Sequence, residues 1–168
     1  MAALKNKIDF ALVFSVKNAN PNGDPLNGNI PRTTLDGYGE LSDVCLKRKI
    51  RNRLQDAGEN IFVQSDDYRK DDYRSLRSRA EAVLGKAMKN ETELHELAKK
   101  TWIDVRSFGQ VFAFKGGDAK GVSVGIRGPV TIQPAFSIDP INVTSLQITK
   151  SVSGEGDGTK RGSATMGM

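Results

Sequence analysis

The chain has 168 residues, which is about one domain's worth. Its single cysteine and single histidine exclude an internal disulfide framework and a cysteine-based zinc site. No apolar run is long enough for a membrane span or a signal peptide. We expect a cytoplasmic protein with no membrane contact and no cofactor. The four aspartates between positions 66 and 72 could suggest a metal site, but their basic neighbours, their spacing and the lack of glycine argue against one, so we expect no metal. The excess of 25 Lys+Arg over 20 Asp+Glu permits a polyanion partner without proving one.

The chain opens with a pattern that predicts a β-strand. Apolar residues alternate with other residues over positions 8–17, which is the period of a half-buried strand. The segment 18–32 that follows is rich in Asn, Pro and Gly, the residue types that form tight turns. Fifteen residues without regular structure is long for a plain connection. A connecting role and a functional role are therefore both open for this loop.

The segment after residue 41 predicts a helix. Ser42 or Asp43 can cap its first turn, and Gly58 can end its last turn. Apolar residues recur at every fourth position and give a narrow apolar stripe. The stripe consists of Leu46, Ile50 and Leu54.

This predicted helix is unusually basic. Its clustered cations are Lys47, Arg48, Lys49, Arg51 and Arg53. Helical spacing places Lys47 and Arg51 on one side of the stripe, Lys49 and Arg53 on the other, and Arg48 pointing away. No acidic residue falls between positions 43 and 56 to form the ion pairs of a solvated helix. A solvated surface and a phosphate-binding surface both remain open, and the missing counter-charges favour phosphate contact.

The rest of the chain predicts helices followed by β-strands. A short strand is expected at 61–64, and helical patterns cover 73–89 and 91–103. Strands are expected at 105–115, 122–132 and 144–152, with a turn at 116–118 between the first two. Residues 106–113 also partly match the aromatic strand motif of RNA-recognition folds, although a core role is open. The Gly- and Ser-rich tail at 151–168 is expected to be an exposed arm.

Several of these segments together resemble a known family. Asn20–Pro25, Gly37–Gly39 and Ser42–Asn52 closely resemble the CRISPR-associated backbone protein of the type I-C Cascade complex. That protein belongs to the Cas-seven family in the RAMP superfamily. Further matches are Asp104–Gly109, Ile126–Val130 and Thr165–Gly167, in family order. Because family members usually continue past the last of these motifs, the chain resembles the N-terminal portion of one.

The resemblance implies an α+β fold with a ferredoxin-like, RNA-recognition-like palm built on an antiparallel sheet. The palm would cover 1–64 and 104–140, a helical finger insertion 65–103, and the start of a thumb hairpin 141–168, with C-terminal core elements missing. The implied function is that of a non-catalytic subunit, with no catalytic residue, that polymerises along guide RNA. Its partners would be the guide RNA, other copies of itself in a filament, other Cascade subunits, and target DNA through the guide.

The resemblance also implies which residues bind RNA. They are Asn20, Asn22, Arg32, Lys47, Arg48, Lys49, Arg51, Lys150 and Met166. The basic side chains would hold phosphates, and the asparagines would add neutral donors. Met166 would act as an apolar wedge between bases, by analogy with minor-groove binders.

An RNA-cleaving relative, as in type III backbone subunits, is the alternative. Such a protein uses an acidic residue in a loop near the RNA, and Asp24 or Asp36 would be the candidate here. The non-catalytic interpretation is favoured because the motifs match type I-C and no general base is evident. Since only one clear palm helix is predicted, we also expect exposed apolar surface and self-association of the chain.

Overall fold

The computed structural model describes residues 4–114, 123–149 and 165–167. It divides into unit 1, residues 1–40 and 137–168, and unit 2, residues 41–136. In chain order the elements are β1 (Gly23–Asp24), β2 (Ile30–Pro31), β3 (Tyr38–Leu41), α1 (Asp43–Asp56), α2 (Leu76–Leu84), α3 (Glu91–Thr101), α4 (Ile103–Phe108), β4 (Gly109–Ala113), β5 (Ser123–Arg127), β6 (Ala135–Pro140), β7 (Gln147–Thr149) and β8 (Thr165–Gly167). The prediction of a mixed fold with antiparallel strand pairs is confirmed. The predicted turn at 116–118 lies outside the described residues.

The predicted loop at 18–32 contains a small hairpin, in which β1 pairs antiparallel with β2. Asp24 organises the connection between the two strands. Its carboxylate accepts a hydrogen bond from Leu26 N at 3.1 Å, and its carbonyl accepts one from Asn29 N at 2.8 Å. Asn29 has a φ of 59°, a left-handed turn position that agrees with the predicted turn character of this segment.

Two further strand pairs involve β3 and β7. β3 hydrogen-bonds to β6, a pairing that the sequence pattern did not predict. Gly39 N in β3 donates to Ser137 Oγ at 2.9 Å. β7 pairs antiparallel with β8, so the predicted strand at 144–152 is confirmed at residues 147–149, while residues 144–146 form no strand. The rest of the predicted arm at 151–168 lies outside the described residues.

The alternating segment at 8–17 forms no strand, so the predicted first β-strand is wrong. Its large apolar side chains are exposed, with Phe10 at 70% and Leu12 at 69%. Among the described strands, none hydrogen-bonds to this segment. A strand exists only where a neighbouring backbone pairs with it, and an alternating pattern by itself does not supply that neighbour.

The helix boundaries of unit 2 follow from their caps. Ser42 Oγ accepts a hydrogen bond from Cys45 N at 3.3 Å and caps α1 as predicted. Gly58, just past the end of α1, has a φ of 90°, which confirms its predicted role in ending the helix. The predicted helix at 73–89 is shorter, because α2 covers only Leu76–Leu84 and a 3-10 segment follows from Gly85 to Lys89. Asn90 caps α3 by accepting from Thr92 N at 3.0 Å.

The core of unit 2 joins these helices to the β4–β5 hairpin. Its buried members are Phe62, Ala80, Leu84, Met88, Leu94, Ala98, Trp102, Val105, Phe112, Val124 and Ile126. The ring centroid of Phe62 lies 4.6 Å from that of Trp102 and 5.1 Å from that of Phe112. These distances are typical of favourable aromatic contacts. The predicted helical insertion therefore shares one core with the hairpin, while the division into palm, finger and thumb stays a prediction.

The predicted strand at 105–115 is a helix in its first half. α4 occupies 103–108 and ends at Gly109, whose φ of 80° suits glycine. β4 then pairs antiparallel with β5, from Gly109 opposite Arg127 to Ala113 opposite Ser123. The match of 106–113 to an aromatic strand motif is wrong for the same reason, because the motif falls across a helix end and a strand. The predicted strand at 61–64 is also wrong, since these residues form bends without strand pairing.

Candidate nucleic-acid interface

A buried carboxylate in unit 2 holds Arg51 of α1. Arg51 Nε donates to Asp104 Oδ2 at 3.0 Å, and Asp104 is 0% exposed. The same carboxylate accepts hydrogen bonds from Phe62 N at 2.8 Å and Val63 N at 3.0 Å. The guanidinium carbon of Arg51 also lies 5.1 Å from the ring centroid of Phe108, within cation–π range. Arg51 therefore fastens α1 to the core and to α4.

Arg48 is also engaged inside unit 2. Its Nη1 donates to the carbonyl oxygen of Val63 at 2.7 Å. Burial, together with repulsion from the neighbouring Arg51 charge, lowers the pKa of Arg48 from its ordinary value. The expectation that Arg48 points away is therefore wrong, because its guanidinium bonds the 61–64 segment. Its predicted contact with RNA stays a prediction.

Lys47 forms an ion pair within α1. Its Nζ lies 2.9 Å from Asp43 Oδ2, one helical turn earlier. The hydrogen bond from Lys47 is the main cause that lowers the pKa of the Asp43 carboxyl. Both side chains remain partly exposed, at 25% for Lys47 and 37% for Asp43. A pair with this exposure is weak and exchangeable, so Lys47 can turn to another anion.

Lys49 and Arg53 are the exposed cations of α1. They lie four residues apart, so they occupy neighbouring positions on one side of the helix. Both are exposed, and neither forms an ion pair with another described residue. We call this pair the Lys49–Arg53 ridge. Its two charges face water without a bound counter-charge in the described part of the chain.

Three of the predicted RNA-binding residues lie together in unit 1, at the β1–β2 hairpin and the strand end that follows it. Asn20 Nδ2 donates to Asn29 O at 2.7 Å, and Asn22 Nδ2 donates to Gly23 O at 3.2 Å. Arg32 Nε lies 3.6 Å from Glu40 Oε2. Asn20 and Asn22 therefore take part in local contacts of the hairpin, whereas Arg32 pairs with Glu40 of β3.

The last two predicted residues lie near the C-terminal end. Met166 is in β8, where it stands opposite Ile148 of β7 in the antiparallel register. Lys150 lies outside the described residues. The predicted role of either residue toward RNA stays a prediction.

The aspartates between positions 66 and 72 include one with a clear structural role. Asp71 accepts two hydrogen bonds from Arg79, from Nε and Nη2, each at 2.7 Å. These bonds are the main cause that lowers the pKa of Asp71. Arg79 is itself 3% exposed and donates to Phe62 O at 2.9 Å. The described residues contain no group of three or more His, Cys, Asp or Glu side chains arranged to hold a metal ion.

An open groove of about 580 Å³ lies beside Lys47, along the end of α4 and the base of the β4–β5 hairpin. We call it the Phe108 groove. Its main lining side chains are Lys47, Phe108, Gln110, Val111, Arg127 and Thr131. The sequence patterns did not single out Gln110, Val111 or Arg127 as site residues. The available signal was the pair of family motifs, Asp104–Gly109 and Ile126–Val130, which meet at this groove.

Two glycines set the spacing of the groove walls. A Cβ atom on Gly128 would lie 2.1 Å from Ser107 O, and one on Gly109 would lie 2.4 Å from Ile126 O. Both distances are far below van der Waals contact, so only glycine permits this close approach. Val130 N also donates to Ser107 O at 2.9 Å. The end of α4 and the segment after β5 are therefore held together by backbone contacts.

Comparison with known proteins places the chain in a family. The family model described as CRISPR-associated protein Cas7 matches residues 6–168. A curated relative from Haloferax volcanii, also named CRISPR-associated protein Cas7, is 28% identical over 176 residues. That alignment covers 94% of this chain and 51% of the relative, so the chain spans about half of the relative's length. The chain belongs to the CRISPR-associated protein Cas7 family, within the RAMP superfamily.

The predicted membership of the Cas7 family is therefore confirmed. The assignment to the type I-C complex stays a proposal. No helix among the described residues has both the length and the apolar character needed to cross a bilayer.

Proposed function

We propose that this chain forms part of a non-catalytic backbone subunit of a type I-C Cascade complex, which binds guide RNA along a ferredoxin-like palm. In this proposal, copies of the subunit stack along the guide in a cytoplasmic filament. Other Cascade subunits bind the filament, and target DNA reaches it by pairing with the guide. Family membership supports the general role, and the observation that carries the RNA-binding part is the Lys49–Arg53 ridge.

The physical argument rests on phosphate recognition. A scaffold that accepts any guide sequence must contact the backbone, because phosphates carry no sequence information while base edges do. Exposed Lys and Arg side chains on a helix supply such contacts, and a helix holds them at fixed spacing. Lys49 and Arg53 meet this requirement because their charges are exposed and not bound to another described residue. Phosphates can displace water from these two side chains without breaking an existing ion pair.

The other predicted cations of α1 differ in how strongly each is already bonded within the protein. Arg51 and Arg48 already bond Asp104 and the Val63 carbonyl, so their removal would disturb the core as well as any RNA contact. Lys47 is intermediate, since its bond to Asp43 is partly exposed and weak. The Lys49–Arg53 ridge is therefore the cleanest place to test RNA binding.

The test measures how the full 168-residue chain binds a fluorescent single-stranded RNA at several salt concentrations. We expect Lys49→Ala with Arg53→Ala to weaken binding to all RNA sequences alike. Each lost phosphate contact should reduce the log–log salt slope by about 0.7. The matched control is Lys86→Ala with Lys89→Ala, which removes two exposed charges from the 3-10 segment after α2. The control should change the slope much less.

Two results would contradict the proposal. An equal effect of the ridge variant and the control on the salt slope would show that net charge matters and the ridge does not. Magnesium-dependent cleavage of RNA by the wild-type chain, lost in Asp24→Ala or Asp36→Ala, would overturn the non-catalytic role. In the structure the Asp24 carboxylate accepts a hydrogen bond from Leu26 N, which gives it a role in the turn.

A further inference from the structure

The Phe108 groove combines cationic and apolar surfaces in one place. Arg127 is exposed and forms no ion pair with another described residue, and Lys47 pairs with Asp43 in a partly exposed ion pair. Two cationic side chains on one groove favour an anionic ligand. The groove belongs entirely to unit 2, and the ridge residues Lys49 and Arg53 are not among its lining residues.

The apolar part of the lining narrows the class of ligand. Phe108 is half-buried, and Val111 is 61% exposed although it belongs to a strand next to the core. A site for inorganic phosphate alone has no need of an aromatic ring and an aliphatic side chain. A nucleobase does use such a surface, because every base has a π-face that stacks on aromatic side chains.

The ring of Phe108 is also held in place. Arg51 lies over it at 5.1 Å, and Arg51 is itself bonded to the buried Asp104. Anchoring of the side chain lowers the entropic cost of packing a ligand against the part of the ring that lines the groove. Gln110 Nε2 donates to Val111 O at 3.0 Å, so its amide is oriented beside the same surface.

We propose that the Phe108 groove binds one nucleotide of single-stranded RNA, with the base against Phe108 and Val111 and the phosphate toward Lys47 and Arg127. This inference rests on the proposed function, since it takes RNA as the ligand. It adds a contact to the base, whereas the Lys49–Arg53 ridge contacts only phosphate. The base contact is stacking, so it tolerates any base.

The test compares two polymers that carry the same charge. The full chain is titrated with a short single-stranded RNA and with a matched oligomer of the same ribose-phosphate backbone that lacks its bases. We expect the wild type to bind the RNA about tenfold more tightly than the abasic oligomer, because only the RNA can stack in the groove. Arg127→Ala should weaken the binding of both polymers.

Two variants address the base contact directly. Phe108→Leu keeps an apolar side chain but removes the aromatic face, and Val111→Ser changes an exposed residue that the core does not need. Each should reduce the preference for RNA over the abasic oligomer to less than threefold. Val83→Ser, at a partly exposed site on α2 outside the groove, should keep the full preference. Lys49→Ala with Arg53→Ala should weaken the binding of both polymers and leave their ratio unchanged.

The outcomes separate the two proposals. Equal binding of RNA and abasic oligomer by the wild type would overturn the groove assignment while leaving the phosphate-binding function intact. A preference that survives both Phe108→Leu and Val111→Ser would also overturn it. Failure of the wild type to bind either polymer would overturn the proposed function itself, and the ligand assigned to the groove with it.

Discussion

The region around Phe62 and the segment at 8–17 contain similar residue types in different surroundings. Phe62 is 0% exposed and contacts the rings of Trp102 and Phe112. Phe10, in an alternating segment that reads as a strand, is 70% exposed. The difference shows that a local pattern identifies which side chains share a face but not whether anything covers that face. Burial depends on neighbours that come from distant parts of the chain.

The largest expected difference between the two regions is in stability. Phe62→Ala should lower the free energy of unfolding by about 3–5 kcal/mol, because it removes a large side chain from a packed core. Phe10→Ala is the matched control and should change the free energy of unfolding by less than about 0.5 kcal/mol. Urea denaturation followed by the fluorescence of Trp102, the only tryptophan, measures both variants. Equal destabilisation would mean that the segment at 8–17 is packed in solution.

A second, smaller difference in stability is expected for one ion-paired aspartate in each region. Asp71→Asn should lower the free energy of unfolding by about 2 kcal/mol at neutral pH, because it weakens two charge-assisted hydrogen bonds to the buried Arg79. The folded-state pKa of Asp71 is lowered, so its stabilisation is complete above the unfolded value near 3.8 and is lost as the pH falls through the folded pKa. The difference in free energy of unfolding between the wild type and Asp71→Asn should therefore decrease on acidification below about pH 4.

The control for this pH experiment is Asp9→Asn in the exposed segment. Asp9 pairs with Lys7, but both side chains are at least 80% exposed. Exposed pairs contribute little, so this variant should leave the urea midpoint unchanged at every pH. The ion-pair interpretation would be contradicted if Asp71→Asn lowered the free energy of unfolding by the same amount at neutral and acidic pH.

The smallest expected effect concerns self-association. The exposed apolar side chains at 8–17 should associate with other copies of the chain at high concentration. Phe10→Ser with Leu12→Ser should weaken this association about tenfold, as measured by sedimentation over a range of concentrations. Val44→Ser with Val83→Ser, at two other exposed apolar positions, serves as the control. A wild-type chain that stays monomeric throughout would contradict the expectation.

The features predicted from sequence were mostly local ones. The limits of α1 follow from Ser42 and Gly58, whose contacts involve residues within a few positions. The turn character of the loop at 18–32 follows from Asn and Gly side-chain chemistry in the same way. Such signals are readable because both sides of the interaction lie in one short stretch of sequence.

The features missed from sequence depend on contacts between distant positions. Arg51 and Asp104 are 53 residues apart, so counting charges along α1 could not show that Arg51 already has a carboxylate. The prediction of a basic helix was right about composition, but two of its arginines bond the core. The Phe108 groove was missed for a similar reason, since it joins Lys47, Phe108 and Arg127 from separate elements.

The contact between Gly109 and Gly128 has a consequence for binding. Because backbone atoms of the two segments touch directly, neither segment can slide past the other without breaking the bond from Val130 N to Ser107 O. These backbone contacts therefore preorganise the walls of the Phe108 groove. Preorganised walls lower the entropic cost of ordering the backbone when a ligand enters, which keeps more of each contact available as affinity.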